Sequence, residues 1–330
     1  MEIDKELGRI MGGYQQACVL FTANKLEVFD AIGSSPVGAE EVAQALKLSS
    51  KGVKRLLDAL VAMEIATKND DRYRLAEAWV PYLTKGGEHC VQQWIRLSSD
   101  LMPAWVDLPQ FVETGKNVRS IMEMLGSDPH NMRAFIDAMH HKGIKATWMI
   151  ARELPVGDAS RMLDLGGGPG TYALEWAKLH PQLRATVFDI APVLEVAKAY
   201  IKRYGLEDRV DTRAGDFHKD PIGEGYDLIL MANILHMYDE EFGKALVKKV
   251  ADALEPGGRV IINGFCTDAD GAAPLQDTLF SLNMGLLTES GRAHPVPETM
   301  AWLAQAGLTD IRSFRIDAMP TGVITGVKNK

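Results

Sequence analysis

The chain has 330 residues, of which 46% are hydrophobic, and a formal charge of −8. This length exceeds the usual size of one domain and supplies apolar residues for two cores, which excludes a disordered chain. The acidic balance provides no general attraction to nucleic acid or to anionic membrane surfaces. The N-terminal segment lacks an apolar signal core, and no segment approaches about 18 uninterrupted apolar residues. We therefore expect a cytoplasmic protein that binds neither nucleic acid nor membrane.

The N-terminal part follows helical hydrophobic patterns. Apolar residues recur at helical spacing over residues 13–33, and two more helices are predicted over residues 39–46 and 49–65, the latter entered through serines suited to N-capping. A polar turn and an extended stretch follow over residues 68–75. Helix, helix and wing in this order predict a winged-helix domain, which we place at residues 1–95.

Residues 96–154 are predicted to be mostly helical and are treated as a linker. Beyond Pro155, short apolar runs alternate with helical stretches, and five strands are expected at residues 161–165, 185–189, 210–214, 228–231 and 259–262. Two more, at residues 310–315 and 322–327, are predicted to close the sheet as an antiparallel hairpin. The alternation predicts an α/β domain at residues 155–330 with a doubly wound, mostly parallel, Rossmann-like seven-stranded sheet.

A glycine-rich loop follows the first of these strands. The strand ends in Asp164-Leu165, and Gly166-Gly167-Gly168-Pro169-Gly170 leads into a helix. Glycines at such a turn permit positive φ and close approach of a ligand, while the helix N-terminus offers unpaired N–H donors. The loop by itself is a weak signal, because nicotinamide and flavin proteins use related turns.

Two acidic residues follow the next predicted strands. Asp189 ends its strand about twenty residues after the glycines, where a carboxylate can accept from ribose hydroxyls. After the third strand, Asp216 is suited to accept from an adenine amine and Phe217 to pack on the ring. Three successive strand ends facing one edge predict a single adenosine site. The alternative is that Asp189 and Asp216 only cap the helices that follow them.

With Glu255-Pro256-Gly257-Gly258 before a strand, these motifs resemble the successive motifs of class I methyltransferases. The initial acid and the G-G-G-x-G form argue against a dehydrogenase. More narrowly, a winged-helix dimerisation domain joined to this catalytic domain is similar to the caffeate, acetylserotonin and bacterial polyketide O-methyltransferase family, over nearly the whole chain. The resemblance implies a homodimer and a small-molecule methyl acceptor.

The same resemblance implies S-adenosylmethionine as the cofactor and assigns residues to it. Gly166 and Gly168 are expected at the methionine portion, Asp189 at the ribose, and Asp216 with Phe217 at the adenine. Asp164, before the glycines, and Asn233, after the fourth strand, complete the expected cofactor contacts.

His236 lies just past the carboxyl end of the fourth predicted strand, where parallel sheets bind ligands, and the chain continues there into a helix with an acidic first turn. In the resembled family this position reads His-Asp-Trp, which implies His236 as the general base. Here the next residues are Met237 and Tyr238, the acid often closing the fifth strand is Asn263, and Gly291-Arg292-Ala293-His294 replaces a Lys-Glu-Arg stretch of plant members. These departures leave open that His236 only orients its substrate.

The acidity of the acceptor decides how much a base matters. Holding a phenol of pKa near 10 as its phenolate at pH 7 costs about 4 kcal/mol, at about 1.36 per pKa unit, and a neutral histidine can take that proton during transfer. A thiol of pKa about 8.5 starts only about 2 kcal/mol uphill. The resemblance implies methyl transfer to a hydroxyl, which we expect to be phenolic. The three distant cysteines show no metal-ligand spacing, and with a sulfonium donor and a histidine base no metal is expected.

By the resemblance, the acceptor of this small aromatic or polyketide-like class lies between the helix preceding the catalytic domain and the segment after the fifth strand. The expected substrate contacts are Phe135, Met139, Phe280, Asn283 and Met284. Core packing is the alternative for each of these side chains. His140 and His141, on the same helix as Met139, are expected on a solvated face; the alternative is that they form a second acid–base pair.

Three other functions remain open from the sequence. A winged helix can bind DNA, but the helix at residues 50–64 has only Lys51, Lys54 and Arg55 near its start and a broad apolar side, which suits dimerisation better. A homologue that binds the cofactor without transferring methyl, such as a decarboxylase or hydroxylase, is the second alternative. Methyl transfer to sulfur or nitrogen is the third.

Overall fold

The computed structural model describes residues 2–121, 123, 129–154, 156, 158–317 and 319–330. The chain divides into two compact units, Met1–Pro103 and Ala104–Lys330. Pro155, where the catalytic domain was predicted to begin, lies outside the described residues. Within the described part of the chain, no helix has the length and apolar character needed to cross a membrane.

The first unit is a winged helix. Its helices are α1 (Glu2–Lys25), α2 (Val28–Ile32), α3 (Ala39–Leu46), α4 (Ser50–Ala62) and α5 (Val80–Leu83), followed by the start of α6 (Gln92–Val106). Strands β1 (Val37–Gly38), β2 (Ala66–Asn69) and β3 (Arg72–Leu75) form an antiparallel sheet in the order β1-β3-β2. Ser49 caps α4 by accepting from the Gly52 N–H at 3.4 Å, and Leu57 and Leu60 are fully buried on the inner face of that helix. The predicted winged-helix fold of the N-terminal part is confirmed.

The second unit is built on a seven-stranded sheet in the order β6-β5-β4-β7-β8-β10-β9. The strands are β4 (Arg161–Leu165), β5 (Arg184–Asp189), β6 (Val210–Ala214), β7 (Tyr226–Ala232), β8 (Leu254–Gly264), β9 (Leu308–Arg315) and β10 (Gly322–Lys328). The helices are α7 (Leu108–Thr114), α8 (Pro129–Glu153), α9 (Thr171–Leu179), α10 (Ala191–Tyr204), α11 (Glu240–Ala253), α12 (Leu275–Leu287) and α13 (Val296–Gln305). Strands β4 to β8 are parallel to one another, and β10 is antiparallel to both β8 and β9. The predicted mostly parallel sheet with an antiparallel closing hairpin is confirmed.

Apolar side chains cover both faces of this sheet, which explains why its strands read as nearly continuous hydrophobic runs. Along β7, Leu230 points into the cluster shared with α8, α9 and α10, whereas Met231 points into the cluster shared with α11 and α13. Because β4, β5, β6 and β7 run in the same direction, the residues that follow them lie at the same edge of the sheet.

Several boundaries differ from the sequence prediction. The stretch predicted as one helix over residues 13–33 forms parts of two helices, because α1 ends at Lys25 and Glu27 has a left-handed φ of 57° before α2 begins. Strand β8 begins at Leu254 rather than near Arg259, because Leu254 already pairs with Tyr226 of β7. His236 lies on a separate 3₁₀ turn, Leu235–Met237, and not within a helix. Helix α11 begins only at Glu240, where the Asp239 side chain accepts from the Phe242 N–H at 2.9 Å.

Candidate active site

The glycine loop after β4 has no room for a side chain at two of its positions. A Cβ on Gly167 would lie 2.7 Å from Cγ of Asp164, and one on Gly166 would lie 2.8 Å from Cδ1 of Ile234. Gly168 has φ of 56°, and a Cβ there would meet no atom within 4 Å. The loop is therefore packed on its inner side and open at Gly168, immediately before the N-terminus of α9, where a helix favours anionic or acceptor groups.

Asp164 is a buried carboxyl beneath this loop, with an exposed fraction of 1%. Its Oδ2 accepts from the Ala173 N–H at 3.3 Å, and its Oδ1 has no hydrogen-bond partner among the described residues. Burial raises the pKa of Asp164 to about 7, against the smaller opposing effect of the Ala173 N–H. A buried acceptor without a partner carries a desolvation cost that a donor or cation on a ligand would remove.

Asp189, at the end of β5, is fastened to the same loop. Its carboxylate accepts from the Gly168 N–H at 2.9 Å and from the Ile190 N–H at 2.8 Å. Burial raises the pKa of Asp189, and these two N–H groups partly oppose that rise. The structure therefore brings Asp164, Gly166, Gly168 and Asp189 together, as the sequence predicted.

Asp216 and Phe217 lie after β6. Asp216 accepts from the His218 N–H at 3.0 Å and lies 3.3 Å from Nζ of Lys219; the His218 hydrogen bond is the main reason that its pKa is lowered. Cε1 of Phe217 is 3.6 Å from the position a Cβ would take on Gly166. Phe217 is therefore beside the glycine loop, whereas Asp216 holds a turn. The alternative that Asp216 caps a helix is wrong, because no helix lies between β6 and β7 in the described part of the chain.

His236 is buried in the 3₁₀ turn after β7, with an exposed fraction of 8%. Its ring meets Phe280 of α12 edge-on, with centroids 4.7 Å apart, and Phe280 stacks on Phe265 at 3.8 Å. Asn233, where the chain leaves β7, is exposed, has a left-handed φ of 58° and donates its N–H to the Asn263 carbonyl at 2.8 Å. Ile234 touches the glycine loop, so the histidine turn and that loop are neighbours.

The other predicted substrate residues make contacts away from His236 or are buried. Asn283 accepts from Nε1 of Trp105 at 3.1 Å, and Met284 is buried, with an exposed fraction of 3%. On α8, Met139 is half-buried and Phe135 packs against the cluster of α9 and α10. Phe280 is thus the expected acceptor residue that touches His236, while Phe135 packs against core residues and Met284 is buried.

Asn263, in place of the acid often found in the resembled family, has an exposed fraction of 2%. Its Nδ2 donates to the hydroxyl of Tyr172 at 2.7 Å. Tyr172 is on the first turn of α9, so this bond joins the end of β8 to the helix that follows the glycine loop. Burial raises the pKa of Tyr172, and the hydroxyl is therefore neutral at physiological pH.

The prediction that His140 is solvated is wrong, because the residue is buried, with an exposed fraction of 4%. Its Nδ1 is 2.9 Å from Oγ1 of Thr171, and its Nε2 is 3.3 Å from the hydroxyl of Tyr204. Burial lowers the pKa of His140 to about 4, so the ring is neutral at pH 7. The spacing of the two residues could have predicted this burial, because His140 follows the buried Ile136 by four positions and therefore lies on the same face of α8. His141 is exposed, as expected.

A buried carboxylate completes this contact between helices. Glu175 of α9 accepts from Nε1 of Trp148 and from the hydroxyl of Tyr204, both at 2.8 Å. Helices α8, α9 and α10 are thereby joined next to Thr171, the first residue after the glycine loop. Helix α8 thus helps to hold the glycine loop in place, whereas the sequence predicted only that α8 lines the acceptor pocket.

The segment after α12 also holds the histidine turn, and its residues were noticed in the sequence only as a departure from the family. Nε2 of His294 lies 3.1 Å from the carbonyl oxygens of both Leu235 and Tyr238. A Cβ on Gly291 would lie 2.5 Å from the carbonyl oxygen of His236. No signal in hydrophobic periodicity reports such contacts, because they join residues more than fifty positions apart. In the described ranges, no cluster of three or more His, Cys, Asp or Glu side chains has a geometry that could hold a metal ion.

The chain matches two family models. The O-methyltransferase domain model matches residues 105–309, and the O-methyltransferase dimerisation domain model matches residues 9–85.

Similar proteins cover nearly the whole chain. The 3-hydroxy-5-methyl-1-naphthoate 3-O-methyltransferase of Streptomyces sahachiroi is 28% identical over 96% of this chain and 93% of its own length. The N,N-dimethyltransferase OxyT of Streptomyces rimosus is 28% identical over 95% of this chain and 93% of its own length. The solved structure of human N-acetylserotonin methyltransferase in complex with SAM is 25% identical, with a TM-score of 0.90 over 100% of this chain and 99% of that one.

Proposed function

This chain belongs to the O-methyltransferase family, its cofactor is S-adenosylmethionine, and we propose that it methylates a phenolic hydroxyl of a small aromatic or polyketide-like molecule with His236 as general base. The observation that carries the proposal is the placement of His236. Its ring is buried against the stacked pair Phe280 and Phe265, and the turn that holds it touches the glycine loop through Ile234.

The residues at the β4 and β5 ends fit this cofactor. The unpartnered Oδ1 of Asp164 is an acceptor that a cationic or donor group of the ligand would complete, and the open side of Gly168 leaves room for the ligand. We assign Asp164, Gly166 and Gly168 to the methionine portion, Asp189 to the ribose, and Phe217 with Asp216 to the adenine. Asn233 remains a proposed contact through its exposed position at the same edge. When bound, the cofactor supplies a methyl group on a sulfonium sulfur, which is a good leaving group.

The chain's own contribution to the reaction is proton transfer and exclusion of water. His236 accepts the proton of the acceptor hydroxyl, which offsets the roughly 4 kcal/mol needed to hold a phenol of pKa near 10 as its anion at pH 7. The Phe265 and Phe280 rings provide a flat apolar surface suited to an aromatic acceptor. Of the remaining acceptor residues proposed from sequence, Met139 and Asn283 are half-buried.

A matched set of acceptors tests the reaction. The protein would be incubated with methyl-labelled S-adenosylmethionine and 3-hydroxy-, 3-amino- or 3-sulfanyl-1-naphthoate, and labelled product would be separated from S-adenosylhomocysteine. We expect the labelled methyl ether from the hydroxyl compound to form fastest. Cofactor binding without product from any of the three, or from a wider panel of phenols and hydroxyquinones, would contradict the proposal and favour a non-methylating reaction.

Transfer to nitrogen is the second candidate function. It is favoured by the similarity to a relative named as an N,N-dimethyltransferase, at the same 28% identity as the naphthoate O-methyltransferase. An amine that is neutral at pH 7 needs no base before methylation, so this reaction would make the turnover insensitive to removal of His236. Labelled product from the amino compound alone would replace the hydroxyl assignment.

We also propose a homodimer formed through α1. Helix α1 exposes large apolar side chains spaced three and four residues apart along one stripe: Ile3, Leu7, Ile10, Met11 and Tyr14. Such a stripe on a surface helix is suited to packing against a second copy, and the dimerisation model begins at residue 9. A monomer by light scattering at micromolar concentration would contradict this assignment, and Leu7→Lys with Met11→Lys should convert a dimer to monomers.

The division into a dimerisation domain at residues 1–95, a linker at 96–154 and a catalytic domain at 155–330 stays a proposal, as does a cytoplasmic location. The same holds for the expected absence of nucleic acid partners. Binding to duplex DNA that weakens steeply with salt would support the regulator alternative instead.

A further inference from the structure

We propose that His294 is a positioning residue for methyl transfer, which fixes the backbone turn that carries His236. Because this role acts on the orientation of the proposed base, it rests on the proposed function.

We call the contact between His294 and the turn the clamp. In it, one ring nitrogen of His294 lies between two backbone carbonyl oxygens. Nε2 of His294 lies 3.1 Å from the Leu235 oxygen and 3.1 Å from the Tyr238 oxygen. A carbonyl oxygen only accepts hydrogen bonds, so this nitrogen carries the proton and donates to both. The two carbonyls lie on either side of His236 in the chain, and a single 3₁₀ turn has little hydrogen bonding of its own to hold its geometry.

The ring of His294 is itself held in place. Its Nδ1 lies 3.2 Å from Oε1 of Glu298, and Arg292 makes two hydrogen bonds to the same carboxylate at 2.7 and 3.0 Å. The ring also meets Trp302 edge-on, with centroids 4.8 Å apart. With both nitrogens engaged by protein groups and an exposed fraction of 2%, His294 is placed to act through the turn and not on a substrate.

A close backbone approach supports the same turn from α12. A Cβ on Gly291 would lie 2.5 Å from the His236 oxygen and 3.0 Å from the carbonyl carbon of Met237. The Gly291 N–H donates at 2.9 Å to Oγ1 of Thr288, directly after the last residue of α12. Since Phe280 of α12 touches the His236 ring, one continuous segment, residues 280–294, contacts both the ring and the backbone of the proposed base.

A double-mutant cycle separates positioning from folding. His294→Leu keeps apolar volume and removes both hydrogen bonds, whereas His294→Gln retains an amide donor near the position of Nε2. With 3-hydroxy-1-naphthoate as the acceptor, we expect His294→Leu to lower kcat at least tenfold and His294→Gln by less than threefold. S-adenosylhomocysteine affinity, measured by calorimetry, should change by less than twofold in both variants. His180→Leu, at the end of α9, is the matched control and should leave kcat unchanged.

The decisive comparison is the effect of His294→Leu on kcat in a protein that already carries His236→Ala. There, His294→Leu should have no further effect on kcat, because the group that it positions is gone. Equal losses from His294→Leu in both backgrounds would overturn the inference while the proposed base role stands. Unchanged turnover in His236→Ala alone would overturn the base role and this inference with it.

The wild-type protein provides a test that needs no variant. In ¹H–¹⁵N spectra of the histidine rings, His294, assigned through its contacts with Trp302, should show a slowly exchanging proton on Nε2. An unprotonated Nε2 at pH 7 would overturn the clamp even if methyl transfer is observed. A protonated Nε2 together with no methyl transfer would refute the proposed function while leaving the contact intact.

Discussion

The cofactor edge at the ends of β4 and β5 and the histidine turn after β7 are neighbours that are built by different means. At the cofactor edge, residues 164–189 supply the loop, the buried acid and the second acid, and backbone N–H groups hold them. At the histidine turn, side chains from residues 280–298 hold a backbone more than forty positions earlier. A local motif therefore identifies the first region, whereas the second exists only once the chain has folded.

The contrast also concerns charge. The cofactor edge contains a buried carboxyl, Asp164, and a half-buried one, Asp189, and desolvation raises the pKa of both. Asp164 has an oxygen without a hydrogen-bond partner among the described residues. The histidine turn is closed by groups whose hydrogen-bonding atoms meet protein partners. We therefore expect substitutions at the cofactor edge to change binding and the pH dependence of stability, and substitutions at the turn to change turnover.

The largest effect that would sharpen this comparison is expected from His236→Ala. Loss of a general base typically lowers kcat by at least about a hundredfold, and the affinity for S-adenosylhomocysteine should stay within twofold. Steady-state kinetics and calorimetry on the same preparation measure both quantities. If affinity falls instead of kcat, the turn serves the cofactor and the two regions are not functionally distinct.

The next effect is a change in pH dependence for Asp164→Asn in the cofactor-free protein. The folded-state pKa of Asp164 is about 7, above the ordinary 3.8, so the folded state binds the proton more tightly and loses stability as pH rises toward 7. Between pH 5.5 and 8 this single group should cost wild type about 2 kcal/mol of unfolding free energy, at about 1.36 per pKa unit. Urea unfolding at both pH values should show that loss reduced in Asp164→Asn. Asp211→Asn, an exposed carboxyl on β6, should behave as wild type, and equal pH dependence in all three proteins would contradict the buried-charge account.

A smaller effect is expected from Asp189→Ala. Removing a carboxylate that binds both the glycine loop and, as proposed, the ribose should weaken S-adenosylhomocysteine binding about tenfold, the equivalent of about 1.4 kcal/mol. At saturating cofactor, kcat should be close to that of wild type. Unaltered affinity would remove Asp189 from the cofactor site and leave it as a support of the loop.

The smallest effect tests whether α8 supports the cofactor edge. His140→Gln disturbs the contacts with Thr171 and Tyr204 and should lower the free energy of unfolding by about 1 kcal/mol, because buried polar groups lose partners. His141→Gln is the matched control one position along, exposed, and should change stability by less than about 0.5 kcal/mol. Thermal or urea unfolding of the pair decides the matter; equal stabilities would mean that the buried contact contributes nothing.

The limits of sequence reasoning follow the same division. The hydrophobic periods predicted the seven strands of the second unit along the chain and the helices between them, and the glycine pattern located the loop. Both signals lie within short stretches of sequence. His140 was placed on the wrong face because a polar residue type outweighed its spacing from Ile136. Gly291 and His294 were visible only as unusual residues, since their partners lie in a turn whose position depends on tertiary packing.

The contacts of Gly291 also bear on how freely this stretch of the chain can vary. Between α12 and α13, Glu289 and Ser290 are exposed and Arg292 is partly so, whereas Gly291 lies against the His236 carbonyl and His294 is buried. In a library of all single substitutions, tolerance should therefore alternate sharply over a few neighbouring positions. The constraint would arise from the shape of the main chain opposite and not from hydrophobicity, so a substitution as small as alanine at 291 should be rejected where large changes at 289 and 290 are accepted.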